Sequence, residues 1–161
     1  MSQPSTATET GGTILKDRSF SLTRIVNAPR ELVYRMWTEA EHIAQWWGPN
    51  GFTTTIHLMD VRVGGEWSFT MHAPDGHNFR NHKVYLEVVP PERLVMEHDV
   101  WPRHRMTAVF SDLGDQKDKT SIAIDMSFES QEDFDKVIRD FGAAKGLSEN
   151  IDRLEAYLAS R

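Results

Sequence analysis

From Gly51 to Phe128 the sequence alternates apolar and polar residues with a period close to two, and helical periods flank this stretch on both sides. Successive side chains on a strand point to opposite faces of a sheet, so this period restricts half of the chain to half-buried strands. Six strands are expected: Phe52–Val63, with a bulge near Asp60, then Glu66–His72, Asn78–Val89, Arg93–Trp101, Arg105–Leu113 and Lys119–Phe128. The breaks between them carry turn chemistry. Gly64-Gly65 and Pro74-Asp75-Gly76 supply preset or positive φ angles, and Pro90-Pro91 and Pro102 lack the N–H that a ladder needs. An earlier strand, Phe20–Val26, alternates in the same way.

Asn27-Ala28-Pro29-Arg30-Glu31 then reads as a helix start, because Pro is harmless in the first turn and Glu31 favours the positive end of the helix dipole. A second short helix, Glu39 to Gln45, runs into Trp46-Trp47 and stops at Gly48-Pro49. After the strands, Ser130-Gln131-Glu132-Asp133 has the form of a capping box with Asp in the last place. Phe134, Val137, Ile138 and Phe141 follow at helical spacing, and Ile151, Leu154, Tyr157 and Leu158 continue the stripe. The small residues from Gly142 to Gly146 are expected to kink this long C-terminal helix. Strands followed by a helix imply an α+β fold: a curved antiparallel sheet of about six to seven strands around the helix.

The chain has 161 residues, enough for one domain with a full core. Residues 1–17 are expected to form a disordered tail, and residues 18–161 the domain. There is no Cys, which excludes disulfides, thiol nucleophiles and thiolate metal sites and agrees with a cytoplasmic location. A net charge of -6 speaks against nucleic acid as a partner, and no apolar run is long enough to span a membrane.

The order of these elements, together with several short motifs, resembles the START-like (Bet v 1-like, SRPBCC) superfamily. Within it the chain resembles the small bacterial form of the family of homologues of the activator of heat-shock-protein-90 ATPase. The matching residues are Asn27-Ala28-Pro29, Trp37-Thr38-Glu39, Ile43 to Pro49, Val63-Gly64-Gly65, Pro74-Asp75-Gly76, Glu87 to Leu94 and Asp152-Arg153-Leu154. The resemblance implies a helix-grip fold with a cavity between the concave sheet face and the last helix. Leu147 stands where relatives often carry Trp, a departure that bears on the end of that cavity. The eukaryotic co-chaperones of the family carry an additional N-terminal domain, whereas here a short polar tail is expected.

Strand parity and helix spacing make Trp47, Trp67, Phe69, Met71, Tyr85, Met96, Met106, Phe110, Met126 and Phe141 candidate ligand contacts. A wall rich in Met and aromatic residues adapts to varied apolar ligands, but the same residues could equally fill a core. Trp46 and Trp47 pose the same choice between a lid at the cavity mouth and a cap on the core. His98 shares the parity of Leu94 and Met96, so it is expected on the apolar face, either as a polar contact to a ligand or as a hydrogen-bonded core residue. Lys145 could meet an anionic ligand or extend to solvent. His42 and His57 are expected at the surface and His104 in a loop. No His pair has metal-ligand spacing, so no metal or cofactor is expected, and no catalytic residue is assigned.

Three functions stay open at this point. The first is binding of a small hydrophobic or amphipathic molecule. The second is an interaction module for a heat-shock chaperone, as the family name implies. The third is a cyclase or hydrolase acting on polyketide-like compounds, as occurs elsewhere in the superfamily. Either a monomer or a homodimer fits the sequence.

Overall fold

In the computed structural model, which describes residues 13–161, the alternating stretch becomes part of one eight-stranded antiparallel sheet. Its strands are β1 (Thr13–Lys16), β2 (Ser19–Val26), β3 (Thr53–Met59), β4 (Glu66–His72), β5 (Asn78–Val89), β6 (Arg93–His98), β7 (His104–Leu113) and β8 (Gln116–Phe128). The spatial order is β1-β2-β8-β7-β6-β5-β4-β3, so the N-terminal strand β2 pairs with the last strand, placing Leu22 opposite Ile124. Helices α1 (Arg30–Thr38) and α2 (Ala40–Trp46) cross from β2 to β3, and α3 (Gln131–Phe141) and α4 (Ala143–Ala159) follow β8. This is the expected α+β architecture, an open curved sheet with helices packed on one face. No described helix is long and apolar enough to cross a membrane.

Several boundaries differ from the sequence reading. Residues 13–16, assigned to the tail, pair with β2 as an edge strand in which Thr13 faces Leu22. The tail expected over residues 1–12 lies outside the described residues. The bulge in β3 falls between Ile56 and Leu58 rather than near Asp60. Residues 60–65 instead form a loop, whose Gly64 N–H donates to the Tyr85 carbonyl at 2.8 Å while Tyr85 N–H donates to the Gly65 carbonyl at 3.0 Å. These contacts occupy the Tyr85 backbone where the β5–β6 register shifts between Tyr85 and Glu87, and such shifts bend a sheet. Strand β6 ends at His98, short of the expected Trp101.

The expected kink in the last helix is a full break. Gly142 has φ 59° and ψ 41°, a left-handed conformation that suits glycine, and it closes α3 and opens α4. At the start of α3 the Ser130 hydroxyl accepts from Asp133 N–H at 2.9 Å. The reciprocal half of the capping box is diverted: Asp133 accepts from Trp101 Nε1 at 3.0 Å and so anchors the β6–β7 loop.

The core between α1, α2 and the sheet is a chain of aromatic rings. Phe110 meets both Tyr34 and Trp37, Trp37 meets Trp46 and Trp47, and Trp47 meets Trp67, which stacks on Phe69 at 4.3 Å. Both tandem tryptophans are buried. Arg24 on β2 ties the sheet to α4 through Asp152 at 2.8 Å, Glu155 at 3.2 Å and the Ser148 hydroxyl at 3.1 Å.

Candidate ligand cavity

The cavity site begins where α2 ends. Trp47 leaves the helix in an extended conformation, and α4 holds the segment that follows. Arg153 Nη1 faces the carbonyls of Trp47, Gly48 and Pro49 at 3.3, 2.9 and 3.1 Å. Gly48 N–H donates to Asn150 Oδ1 and Asn50 N–H to Glu149 Oε1, both at 3.1 Å. Trp47 is therefore a fixed wall, held by the strap outside and by Trp46 and Trp67 inside.

Between this wall, the sheet and the α3–α4 joint lies a cavity of two adjoining lobes. They share Met71, Asn81, His104, Met126, Phe141 and Ala143. The smaller lobe, about 190 Å³, is lined further by Trp47, Phe69, Lys83, Met106, Leu147 and Asn150. The larger lobe, about 440 Å³, reaches Phe79, Arg80, Trp101, Phe128 and Val137. Phe141 and Trp101, 58% and 51% exposed, set their rings 6.0 Å apart at its mouth. Small residues at the joint leave this space: a side-chain carbon on Gly146 would sit 3.6 Å from Pro49.

The floor is polar. Lys83 is only 3% exposed, and among the described residues no carboxylate pairs with it. Burial pulls its amine down from 10.5 to about 7. Its Nζ lies 3.5 Å from His104 Nε2. His104 Nδ1–H donates to the Pro102 carbonyl at 2.7 Å, which fixes the tautomer and leaves Nε2 as an acceptor facing the amine. His98 stacks on His104 with centroids 4.6 Å apart, its Nε2 2.8 Å from Asn81 Oδ1 and its Nδ1 3.2 Å from the Pro102 carbonyl. Desolvation first, and then the nearby Lys83, push His98 down to about 3 and His104 to about 2, so both rings are neutral at physiological pH. Among the described residues no Asp or Glu lines either lobe, although the chain carries 24 acidic and 18 basic residues.

Of the candidate contacts, Trp47, Phe69, Met71, Met106, Met126 and Phe141 line the cavity. Trp67, Tyr85, Met96 and Phe110 have the expected inward parity but are covered by the aromatic core and do not line it. His98 is buried beneath His104, one layer behind the wall. Lys145 points away: its side chain is 83% exposed and lies 3.9 Å from Glu149, one helical turn on. His42 is not a surface residue either, because it is buried against α4 with Nδ1 2.8 Å from the Tyr157 hydroxyl. His57 is exposed, as expected. His104 is the first residue of β7, paired with Phe128, rather than a loop residue. Lys83, Asn81 and His104 went unrecognised. The signal was present, since Lys83 and Asn81 share the inward parity of Tyr85.

A family model described as "Activator of Hsp90 ATPase homolog 1-like protein" matches residues 27–159. The chain belongs to this family. No curated protein matches the sequence. Among solved structures, a protein from Arthrobacter aurescens superposes with a TM-score of 0.85 at 22% identity, over 95% of this chain and 94% of that one. A Mycobacterium smegmatis protein gives a TM-score of 0.82 at 20% identity, over 92% and 97% of the two chains. The AHSA1 protein from Silicibacter pomeroyi gives 0.69 at 17% identity, over 88% and 97%. At these identities the neighbours establish a shared fold.

Proposed function

We propose that this AHSA1-like domain binds a small hydrophobic or amphipathic molecule between its sheet and the α3–α4 joint. The observation that carries this reading is the two-lobed cavity itself. It has thioether and aromatic walls, an open mouth at Phe141 and Trp101, and a small polar floor at Lys83, Asn81 and His104. Ligand sites typically combine apolar walls with a few placed polar groups, and this one joins them in a space large enough for a small organic molecule. Methionine side chains supply walls that reshape with little penalty.

Methyl-labelled methionine tests the reading directly, because the chain has seven Met residues in distinct settings. Titration with decanol, followed by NMR, is expected to shift the methyls of Met71, Met106 and Met126. Met36 and Met96, buried outside the cavity, are expected to hold their positions. Absence of selective shifts at the three wall residues would remove the cavity as a binding site.

A further inference from the structure

We propose that the cavity recognises amphipathic carboxylates, with the acid group seated on Lys83 and the hydrocarbon body along Met71, Met106 and Met126. This rests on the cavity-binding reading above and adds the chemical class of the ligand.

Three features of the site carry it. First, Lys83 is a buried amine with no carboxylate partner among the described residues. Buried charges in proteins are ordinarily paired, because an isolated one is strongly disfavoured. Among the described residues the only hydrogen-bond partner of its Nζ is His104 Nε2, at 3.5 Å, and an ammonium has three protons to donate. Second, among the described residues the lobes are lined by two basic side chains and no acidic one, Lys83 at the floor and Arg80 near the rim, in a chain whose net charge is -6. Third, no other floor group can replace the missing anion. The Asn150 carbonyl oxygen already accepts from Gly48, Asn81 faces His98, and the ring of His104 is held by Pro102.

The groups facing Lys83 simplify its response to pH. From β7 comes His104 and from β6, behind it, His98, both neutral through the physiological range. β5 and α4 contribute the uncharged Asn81 and Asn150. β4 and β8 contribute Phe69, Met71 and Met126, and α3 contributes Phe141. Lys83 is therefore the group that titrates near neutrality, at about 7 in the free protein. A carboxylate favours the ammonium, so its binding above that pH takes up a proton, and its affinity falls by about tenfold per pH unit until the pKa of the complex is reached.

The test compares decanoate with decanol by calorimetry on the full chain at about pH 6 and about pH 8. At the lower pH decanoate is expected to bind roughly tenfold to a hundredfold tighter than decanol, the range for a charge-assisted hydrogen bond. Lys83→Met should abolish that preference, and Lys83→Arg should keep it. At the higher pH, heats measured in two buffers of different ionisation enthalpy should report proton uptake for decanoate and none for decanol. Equal affinities for the two probes in the wild type, with Lys83→Met without effect, would overturn the carboxylate assignment and leave the cavity reading standing. Binding of neither probe, with no shift at the three wall methionines, would overturn both.

Discussion

Replacing Lys83 by Met should stabilise the protein, and the gain should depend on pH in a manner set by burial. The unfolded chain holds the Lys83 proton up to about 10.5, whereas the folded chain holds it only up to about 7. Between these values the unfolded state binds more protons, so the stability of the wild type rises with pH at about 1.4 kcal/mol per unit. At and below about pH 7 the folded protein carries the full penalty of a buried ammonium, on the order of 5 kcal/mol. Methionine has no such penalty, and its length and shape match the lysine stem. The difference in unfolding free energy between variant and wild type should therefore be largest at about pH 6 to 7 and shrink by about 3 kcal/mol on going to about pH 9. Urea unfolding followed by tryptophan fluorescence measures this, since Trp37, Trp46, Trp47 and Trp67 are all buried. Comparing the two proteins at each pH cancels the titrating groups that do not feel Lys83, and His98 and His104, which do, are held low chiefly by their own burial. A difference that stays flat from about pH 6 to 9 would show that Lys83 keeps the proton affinity of a solvated amine, and the desolvation argument would fall.

The remaining predictions concern the frame around the cavity. A methyl group on Gly65 would run into the Asp60 carbonyl, whereas one on Gly64 meets nothing and contends only with a φ of +83°. Gly65→Ala should thus lose more than about 3 kcal/mol and Gly64→Ala about 1 kcal/mol, measured as urea midpoints, with equal losses counting against the steric account. Arg153→Met removes the donor facing three carbonyls and should lower stability by about 2 kcal/mol. It should also speed hydrogen exchange at the Gly48 and Asn50 amides, and unchanged exchange there would mean that Asn150 and Glu149 hold the strap alone.

Strands were the most legible part of the chain because each has one buried and one exposed face, which writes burial directly into alternation. The pairing of β2 with β8 has no local signal, and β1 is a four-residue edge strand in a polar stretch, so neither could be read from pattern. The break at Gly142 was half legible. A run of small residues marks weakness in a helix, but only the backbone reveals the left-handed joint. His42 was misplaced because a seven-residue helix carries too few turns to define its buried face, and the Tyr157 hydroxyl that receives it lies 115 residues away. Six of the expected contacts line the cavity. Trp67, Tyr85, Met96 and Phe110 do not, because parity gives the face of a sheet and not the position along it. Lys83 was overlooked for the opposite reason: its parity was informative and its residue type argued for solvent.

The two ends of the cavity differ in what holds them, and this follows from where the large side chains stop. On the α2 side, four indoles and Phe110 pack edge to face without a gap, and Arg153 and Asn150 clamp the chain outside them. On the α3–α4 side, Gly142 breaks the helix, and Ala143 and Gly146 carry too little side chain to fill the space between the buried Val137 on α3 and Leu147 on α4. Lys83 sits at the boundary between the two, with the aromatic core on one side and open volume on the other. A lysine in the core proper would face only rings and methyls, and one at the mouth would be solvated. At the boundary it is dry enough to need a counter-charge and near enough to open space for a ligand to bring one. The mouth residues Trp101 and Phe141 are more than half exposed, and Trp101 is tethered by one hydrogen bond to Asp133. Of the tandem tryptophans, Trp47 forms the wall against which a ligand would pack, and Trp46 backs it from the core.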